Sequence, residues 1–304
     1  MRIAITGANS SVGKVLLRRP AAQKDLEIRA CVRTQEAAAS LPRGPGITPC
    51  VTRYDEKDTL AAQLDGVSCL VHLPGLLIES KRSNYQTANV DTTQVVVDAC
   101  QRARVNHVVF ISSLGADINS RNQYYRSKGI AEEVVSRSGI SSTIIRTSIL
   151  LGPGTAGARS LVGMASRASA RLLGGGHHTL RPLDVDDLSD AILNCCCAQT
   201  EGVAIHELVG PEAVTHRELI IMTGRLMDHD VSIAGMPVWT AKLGATMAGW
   251  IRRGGVTPTV IDVITADETV RTNADVDLGV SLTPLSETLK KLLPENTHGS
   301  GVSP

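Results

Sequence analysis

This chain of 304 residues contains few aromatic residues, little net charge and no long apolar run. Phenylalanine, tryptophan and tyrosine together make up 2% of it, so it lacks the aromatic platforms on which single-stranded nucleic acids stack. Its 31 lysines and arginines nearly balance its 30 aspartates and glutamates, giving a formal net charge of +1 at pH 7. Because nucleic-acid-binding proteins carry a basic footprint, we expect no nucleic-acid partner.

Membrane segments and metal sites are also missing from the pattern. No apolar stretch is long enough to span a bilayer, and the N-terminus lacks the charged start and apolar middle of a secretory signal. We therefore expect no membrane span and a cytoplasmic location. Cys195–Cys197 point in three directions on a predicted helix, which favours small apolar residues in a reducing compartment over a metal site. His177–His178 have no cysteine or carboxylate at ligand spacing, so we predict a flexible loop there and no metal.

The N-terminal stretch MRIAITGANSSVG combines a strand pattern with glycines before a helix. Arg2–Thr6 predicts a strand, Gly7 predicts a tight turn, and Gly13 falls where the following helix must pack closely on that strand. The free backbone N–H groups and the positive end of the helix dipole at such a turn suit the pyrophosphate of a dinucleotide. Ser10 stands where glycine is usual, and glycine-rich turns also occur without a ligand, so the pattern alone is weak.

The second predicted strand ends at Arg33, about 20 residues past the glycine turn. An acidic residue there would bind a ribose 2′-hydroxyl and select NAD, whereas the planar, charged guanidinium suits a 2′-phosphate. We therefore favour NADP(H) over NAD(H). The alternative is that Arg29 and Arg33 are only solvated residues of the protein surface.

Strand patterns and helical patterns alternate along the first half of the chain. This alternation predicts an α/β fold with a doubly wound parallel sheet, whose ligands bind beyond the carboxyl ends of the strands. The predicted strands cover residues 2–6, 26–32, 47–51, 67–73, 105–112 and 142–146, followed later by short strands at 180–185 and 204–209. Further helices are predicted over residues 84–103, 238–251, 257–266 and 285–293.

The pattern changes after residue 154, where helical and irregular stretches dominate. We predict a dinucleotide-binding Rossmann domain over residues 1–154, with 186–210 returning to it. Residues 155–185 and 211–293 are predicted to form a smaller, mostly helical lobe that binds substrate. The polar, glycine-rich residues 294–304 predict a flexible tail.

Tyr124 and Lys128 stand four residues apart on one face of a predicted helix, after a strand that ends in Ser112–Ser113. A phenol with a pKa near 10 is a poor acid–base group at pH 7, but a neighbouring ammonium and a cationic nicotinamide favour the phenolate. We predict that Lys128 lowers the pKa of Tyr124 and also holds the nicotinamide ribose. The alternative is a surface tyrosine and lysine on an exposed helix face.

Several segments resemble the short-chain dehydrogenase/reductase superfamily, chiefly its extended and atypical branches. In the first half they are TGANSSVG (6–13), NVDTT (89–93), FISSLGA (110–116), YYRSKGIAEE (124–133) and RTSILLGPG (146–154). The second half is similar to the group containing the nucleotide-binding accessory subunit of respiratory complex I and to relatives of NmrA-type regulators. Its segments are RPLDVDDLSDAI (181–192), HELVGPEAVTHREL (206–219) and DLGVSLTPLSETL (277–289). The resemblance covers residues 1–293.

This resemblance implies roles for particular residues. Tyr124 and Lys128 match the superfamily's catalytic tyrosine and lysine, whereas Tyr125 has the wrong spacing. The third member, a serine or threonine, falls on Leu114 if the active position is one past the double serine, and Ser113 is the nearest substitute. The complex I relative is viewed as binding NADPH for structure or assembly, and the NmrA-type relatives as sensors.

We therefore predict an NADP(H)-dependent oxidoreductase or epimerase that acts on a small carbonyl or hydroxyl compound. The alternative is a non-catalytic NAD(P)H-binding sensor, scaffold or assembly protein, and the oligomeric state stays open. The predicted catalytic residues are Tyr124, Lys128 and Ser113. The predicted cofactor-binding residues are Gly7, Ala8, Asn9, Ser10, Ser11, Val12 and Gly13 at the pyrophosphate, Arg33 at the 2′-phosphate, Asp55 near the adenine, and Leu73, Pro74, Gly75, Asn89, Ser112, Lys128, Thr147 and Ser148 on the nicotinamide side.

Overall fold

The computed structural model describes residues 1–19, 26–54, 57–73, 75–251 and 255–293, and the predicted tail lies outside these ranges. The elements of the first half are β1 Arg2–Thr6, α1 Ser11–Arg18, β2 Glu27–Val32, α2 Gln35–Ala39, β3 Ile47–Val51, α3 Lys57–Gln63, β4 Cys69–His72, α4 Thr92–Ala103, β5 His107–Ser113, α5 Gln123–Ser136 and β6 Ser141–Thr147. Those of the second half are β7 Leu150–Leu151, α6 Ala156–Ala165, β8 Ser169–Leu173, β9 Thr179–Leu180, β10 Leu183–Asp184, α7 Val185–Ala198, β11 Val203–Leu208, β12 Val214–Thr215, α8 His216–Leu226, β13 Ser232–Met236, α9 Val238–Ile251, α10 Pro258–Ile264 and α11 Leu285–Lys290.

A seven-stranded parallel sheet forms the centre of the molecule, in the order β11-β6-β5-β4-β1-β2-β3. The chain runs outward from β1 to β3 and then returns to place β4 on the other side of β1. This reversal opens a crevice at the carboxyl ends of β1 and β4, where ligands of doubly wound sheets bind. The predicted α/β fold with a doubly wound parallel sheet is therefore confirmed.

Two predicted elements differ from the observed ones. The predicted strand 180–185 is two short strands, β9 and β10, because Pro182 between them has no N–H to donate to a ladder. The predicted helix 84–103 begins with a π-helical turn, Gln86–Asp91, before α4. Thr92, the first residue of α4, donates its hydroxyl hydrogen to the carbonyl of Thr87 in this turn at 2.8 Å.

Helices cover both faces of the sheet and bury its apolar side chains. On one face, α1 and α7 pack against residues such as Ile3, Ile5 and Ile28. On the other face, α3, α4 and α5 enclose a cluster around Phe110, whose side chain is fully buried. Since strands covered on both faces must be apolar throughout, this packing explains the continuous apolar run in β5.

A smaller cluster lies above the carboxyl ends of β5 and β6. It joins α6, α8 and α11 to the short strands β8 and β13 through residues such as Leu161, Leu172 and Leu219. This lobe forms the second wall of the site described next. Among the helices that the structure describes, none combines the length and the apolar character needed to cross a membrane.

Candidate active site

The glycine turn after β1 closes tightly onto the first turn of α1. Gly7 has a φ of +72°, in the left-handed region that favours glycine. A Cβ at Gly13 would lie 2.5 Å from the carbonyl oxygen of Ala8, so only glycine lets the helix approach the turn this closely. The first N–H groups of a helix have no carbonyl partner within the helix, so this helix N-terminus can bind an anion.

Ser10 is the N-cap of α1. Its hydroxyl accepts a hydrogen bond from the Gly13 N–H at 3.1 Å, and its backbone is extended. The side chain therefore serves the helix end, which explains how serine replaces the usual glycine without disrupting the turn. Asn9 is exposed at the same turn, whereas Val12 is buried beneath it.

Arg33 follows β2 and is exposed. The parallel register of β1 and β2 pairs Thr6 with Cys31, which brings Arg33 to the same edge of the sheet as the glycine turn. Tyr54 lies within electrostatic range of Arg33: burial raises the pKa of the Tyr54 phenol and the guanidinium opposes that rise. Sequence reasoning missed Tyr54, and the predicted adenine contact Asp55 lies outside the described residues.

Asn122 determines where α5 begins and so where Tyr124 lies. Its side-chain carbonyl accepts hydrogen bonds from the N–H groups of Tyr124 at 3.0 Å and Tyr125 at 3.3 Å. Its amide donates to the Thr259 carbonyl at 3.1 Å, which ties this helix end to α10. The cap therefore positions the tyrosine between the sheet and the smaller lobe.

The structure corrects the predicted pKa of Tyr124. Burial raises the pKa of this phenol, and the hydroxyl of Ser113 opposes the rise through a side-chain hydrogen bond. Lys128 makes no such contribution, because its ammonium is directed elsewhere. The phenol is therefore protonated at neutral pH, as it is at its ordinary pKa near 10, and a protonated phenol is a proton donor.

Lys128 is buried beneath the site, with a side chain that is 3% exposed. Its Nζ donates to the carbonyl of Ile111 at 2.8 Å and lies 4.5 Å from the centroid of the Phe110 ring. Burial lowers the pKa of the ammonium to about 8, while Glu132 opposes the shift. A Cβ at Gly75 would lie 3.7 Å from Nζ, so the turn after β4 and the lysine are direct neighbours.

Asn89 fastens that turn to α5. Its side-chain oxygen accepts from the Leu76 N–H at 2.8 Å, and its amide donates to the Ser127 hydroxyl at 2.9 Å. Asn89 is 1% exposed, so its side chain is used to hold the turn in place. Leu73 donates its N–H to the carbonyl of Thr6 at 3.2 Å, and Pro74 lies outside the described residues.

A cavity of about 730 Å³ lies between these elements and the smaller lobe. Ser112, Ser113, Tyr124, Thr147 and Ser148 line its side nearest the sheet. The Ser148 hydroxyl donates to the carbonyl of Arg181 at 2.6 Å, and the Ser113 hydroxyl donates to that of Leu114 at 3.1 Å. Leu114 itself lines the cavity, at the position where the resemblance implies a third hydroxyl.

Several residues of the cavity wall carry buried polar atoms without hydrogen-bond partners. Among the described residues, five buried side-chain nitrogen or oxygen atoms have no hydrogen-bond partner, and three of them belong to residues of the cavity wall. These three are Ser112 Oγ, Thr147 Oγ1 and His178 Nε2. Buried polar groups are nearly always satisfied, so these atoms need a partner that the described residues do not supply, such as ordered water or a ligand group.

The fold and this site define a Rossmann-type nucleotide-binding protein with an adjoining substrate cavity. A family model described as NAD(P)H-binding matches residues 7–170, more than half of the chain, and the chain belongs to this family. The match includes the glycine turn, Tyr124 and Lys128. The resemblance noted in the sequence is therefore confirmed at the level of family and fold.

Three curated proteins are similar to this chain. An uncharacterized sugar epimerase, YhfK of Bacillus subtilis, is 26% identical over 51% of this chain and 75% of its own length. Subunit 9 of the NADH dehydrogenase [ubiquinone] 1 alpha subcomplex of Arabidopsis thaliana is 24% identical over 54% of this chain, which spans 42% of that subunit. A ceramide reductase of Caulobacter vibrioides is 23% identical over 89% of this chain and 84% of its own length.

Among solved structures, MoeE5 in complex with UDP-glucuronic acid and NAD has a TM-score of 0.76 and 20% identity, with 96% of this chain and 97% of that chain covered. At this identity the likeness shows a shared fold.

Proposed function

We propose that this protein is an NADP(H)-dependent oxidoreductase or epimerase of the short-chain dehydrogenase type that acts on a small carbonyl or hydroxyl compound. One observation carries the proposal: Tyr124 lines the 730 Å³ cavity while Lys128, one helical turn further along α5, lies buried beside the turn after β4. A surface pair would show neither the burial nor the cavity. The names of two similar proteins, a reductase and a sugar epimerase, support the same reaction class.

The chain's own residues fit a nicotinamide dinucleotide. The turn from Gly7 to Gly13 would hold the pyrophosphate, and Arg33, with Tyr54 near it, would hold the adenosine end with a 2′-phosphate. Lys128 would hold the nicotinamide ribose. When bound, the reduced cofactor supplies a hydride to a carbonyl carbon, and the oxidised cofactor accepts one from a carbinol carbon.

Tyr124 is the proton donor in this proposal. The phenol carries its proton at neutral pH even at its ordinary pKa near 10, and it can give that proton to a carbonyl oxygen that becomes an alkoxide, a much stronger base than the phenolate. Ser113 contacts the phenol and holds its orientation.

The missing third hydroxyl has two candidate replacements. Ser112 Oγ and Thr147 Oγ1 are buried in the cavity wall without partners, and either can donate a hydrogen bond to a substrate oxygen. Neighbouring strand ends carry them, since Ser113 pairs with Thr147 between β5 and β6. Leu114 then has no catalytic role and contributes an apolar wall.

The second candidate is a nucleotide-binding sensor or scaffold without turnover. Leu114, in place of the family's hydroxyl residue, and the similarity to a complex I subunit favour it. In either case we propose a cytoplasmic location, where the seven free cysteines stay reduced. Incubating the purified chain with NADPH and a panel of aldehydes, ketones and UDP-sugars separates the candidates. Oxidation of NADPH or epimerisation of a sugar supports the enzyme, and binding of NADPH without any turnover supports the sensor or scaffold.

A further inference from the structure

The cavity wall carries little free charge. Its charged residues are Arg171, whose side chain is exposed, and the carboxylates of Asp267 and Glu268. Asp267 accepts a hydrogen bond from the Thr179 N–H at 2.7 Å. Glu268 accepts from the N–H groups of Ile149 and Arg181, each at 2.8 Å, so both carboxylates are used by the backbone.

This charge pattern disfavours a nucleotide sugar. A diphosphate is bound by several cationic side chains or backbone donors, and among the described residues Arg171 is the only lysine or arginine that lines this cavity, together with two carboxylates. Among the described residues, Tyr124 and Tyr125 are the only aromatic residues other than histidine that line the cavity and could stack on a base. The wall therefore fits a substrate without net charge.

Apolar side chains supply about half of the remaining wall, and seven serines and threonines line it as well. Members of α6, β8 and α8 lie across from α10, and they include Leu161, Met164, Leu172, Leu219 and Ile264. Each methylene that a ligand buries against such a wall tightens binding about fourfold. A substrate with a hydrocarbon body therefore gains affinity from these apolar side chains.

Two imidazoles interrupt the apolar wall. His178 and His216 lie next to each other, with ring centroids 5.1 Å apart and ring planes tilted by 58°. The backbone fixes their positions, because β9 pairs with β12 and the His216 N–H donates to the His178 carbonyl at 3.1 Å. Nε2 of His178 is one of the buried atoms without a partner.

Burial favours the neutral form of both imidazoles. Burial lowers the pKa of His178, and burial together with His178 lowers the pKa of His216 to about 4. A neutral imidazole offers one donor and one acceptor, so the pair suits a hydroxyl or carbonyl oxygen better than an anion.

We propose that His178 and His216 form a substrate-recognition site that binds a hydroxyl or carbonyl oxygen of a neutral, largely hydrocarbon substrate, whose reacting carbonyl lies at Tyr124. The proposal rests on the proposed function, because it assigns the substrate class of the same cavity. It accounts for the polar atom of His178 that the fold leaves without a partner.

The test uses matched pairs of ligands. Straight-chain methyl ketones of increasing length, and the same ketones with a terminal hydroxyl, are titrated into the protein loaded with NADP⁺, which cannot reduce them. At a favourable chain length the terminal hydroxyl should tighten binding about two- to tenfold, the effect of one net hydrogen bond. His178→Phe should abolish that preference and leave the affinity for plain ketones nearly unchanged.

Two further variants complete the design. His216→Phe should also reduce the preference for the hydroxyl, and it provides a second measurement if His178→Phe fails to fold. The control is His177→Phe, since His177 is the adjacent histidine, is exposed and lies outside the cavity wall. This control should keep the preference of the wild-type protein.

Several outcomes would overturn the assignment. They are an absence of ketone binding, a terminal hydroxyl without effect at every length, a preference that survives both histidine variants, and binding of UDP-glucose in place of the ketones. Failure of the proposed function would look different. The protein would then not bind NADP(H), or it would bind ketones with the expected preference and never reduce them.

Discussion

The Nζ atom of Lys128 lies 2.8 Å from the carbonyl oxygen of Ile111, on a side chain that is 3% exposed. The carbonyl and the face of the Phe110 ring, at 4.5 Å, are its polar and electrostatic contacts on the sheet side. Burial still lowers the pKa of Lys128 to about 8. These contacts therefore do not fully compensate for the water that the ammonium loses. The fold therefore keeps the ammonium of Lys128 in a position where its charged form is less stable than in water.

Lys128→Met should stabilise the protein at pH 7 while weakening NADPH binding and turnover. The folded pKa, about 8, lies below the ordinary value of 10.5, so below pH 8 the buried ammonium destabilises the fold in full. Between pH 8 and 10.5 the unfolded chain binds more protons, and this destabilisation disappears. The size of the Lys128 pKa shift limits the gain in the free energy of unfolding at pH 7 to about 3 kcal/mol. The loss of the contacts with Ile111 and Phe110 makes this gain smaller.

Urea unfolding at pH 7 and pH 10 checks this prediction, with Lys290→Met as the control because Lys290 is exposed. The stability gain of Lys128→Met should shrink as the pH rises, and the control should show no such trend. A Lys128→Met protein less stable than wild type at pH 7, with a gap independent of pH, would contradict the account.

Ser10 should prove to be a helix cap more than a phosphate ligand. Its hydroxyl accepts from the Gly13 N–H, so Ser10→Ala should cost about 1 kcal/mol of stability and Ser10→Gly only a few tenths. NADPH binding to Ser10→Gly should stay within about tenfold of wild type, because one hydrogen bond contributes on the order of 1 kcal/mol net. Calorimetric titration measures the NADPH affinity of this variant. A much larger loss of affinity would show that Ser10 is a principal ligand of the pyrophosphate.

Gly13→Ala should damage both stability and nucleotide binding. The new Cβ would lie 2.5 Å from the Ala8 carbonyl oxygen, and the backbone would have to move, at a cost of about 1–3 kcal/mol. Gly163→Ala, in α6 with nothing within 4 Å of the new methyl group, is the control and should be neutral or stabilising by up to about 1 kcal/mol. Equal effects of the two substitutions on unfolding would refute the close approach at Gly13.

Arg33 should select the cofactor. We expect NADPH to bind at least several-fold more tightly than NADH. Arg33→Ala should weaken NADPH binding by about 1.5–3 kcal/mol, on the order of 10- to 100-fold, while NADH binding is nearly unaffected. Arg43→Ala removes an equally exposed charge from the loop before β3 and serves as the control. Equal affinities of the wild-type protein for NADPH and NADH would contradict the assignment of Arg33 to the 2′-phosphate.

Local patterns predicted the sheet and the pair on α5, since strand periodicity and the four-residue spacing of Tyr124 and Lys128 are properties of neighbouring residues. The direction of the Tyr124 pKa shift was wrong because burial depends on how α5 packs, which no local pattern encodes. His178 and His216 escaped notice as a pair for a similar reason. They meet only because β9 pairs with β12.

The sequence predicts that Thr147 contacts the cofactor. It does not predict that the Thr147 hydroxyl lacks a hydrogen-bond partner, because that depends on how β5 and β6 pack. Tyr54 was missed because its position near Arg33 depends on the order of β1, β2 and β3 in the sheet.

Single-turnover oxidation of bound NADPH tests the central claim, that Tyr124 donates a proton to a substrate in the cavity. Wild type, Tyr124→Phe and the control Tyr125→Phe are compared across a panel of aldehydes and ketones. We predict that Tyr124→Phe keeps its NADPH affinity and loses about 10²–10⁴-fold in rate, whereas Tyr125→Phe changes the rate little. Equal rates for wild type and Tyr124→Phe would contradict this mechanism, and the absence of turnover by wild type on every compound would favour the sensor or scaffold.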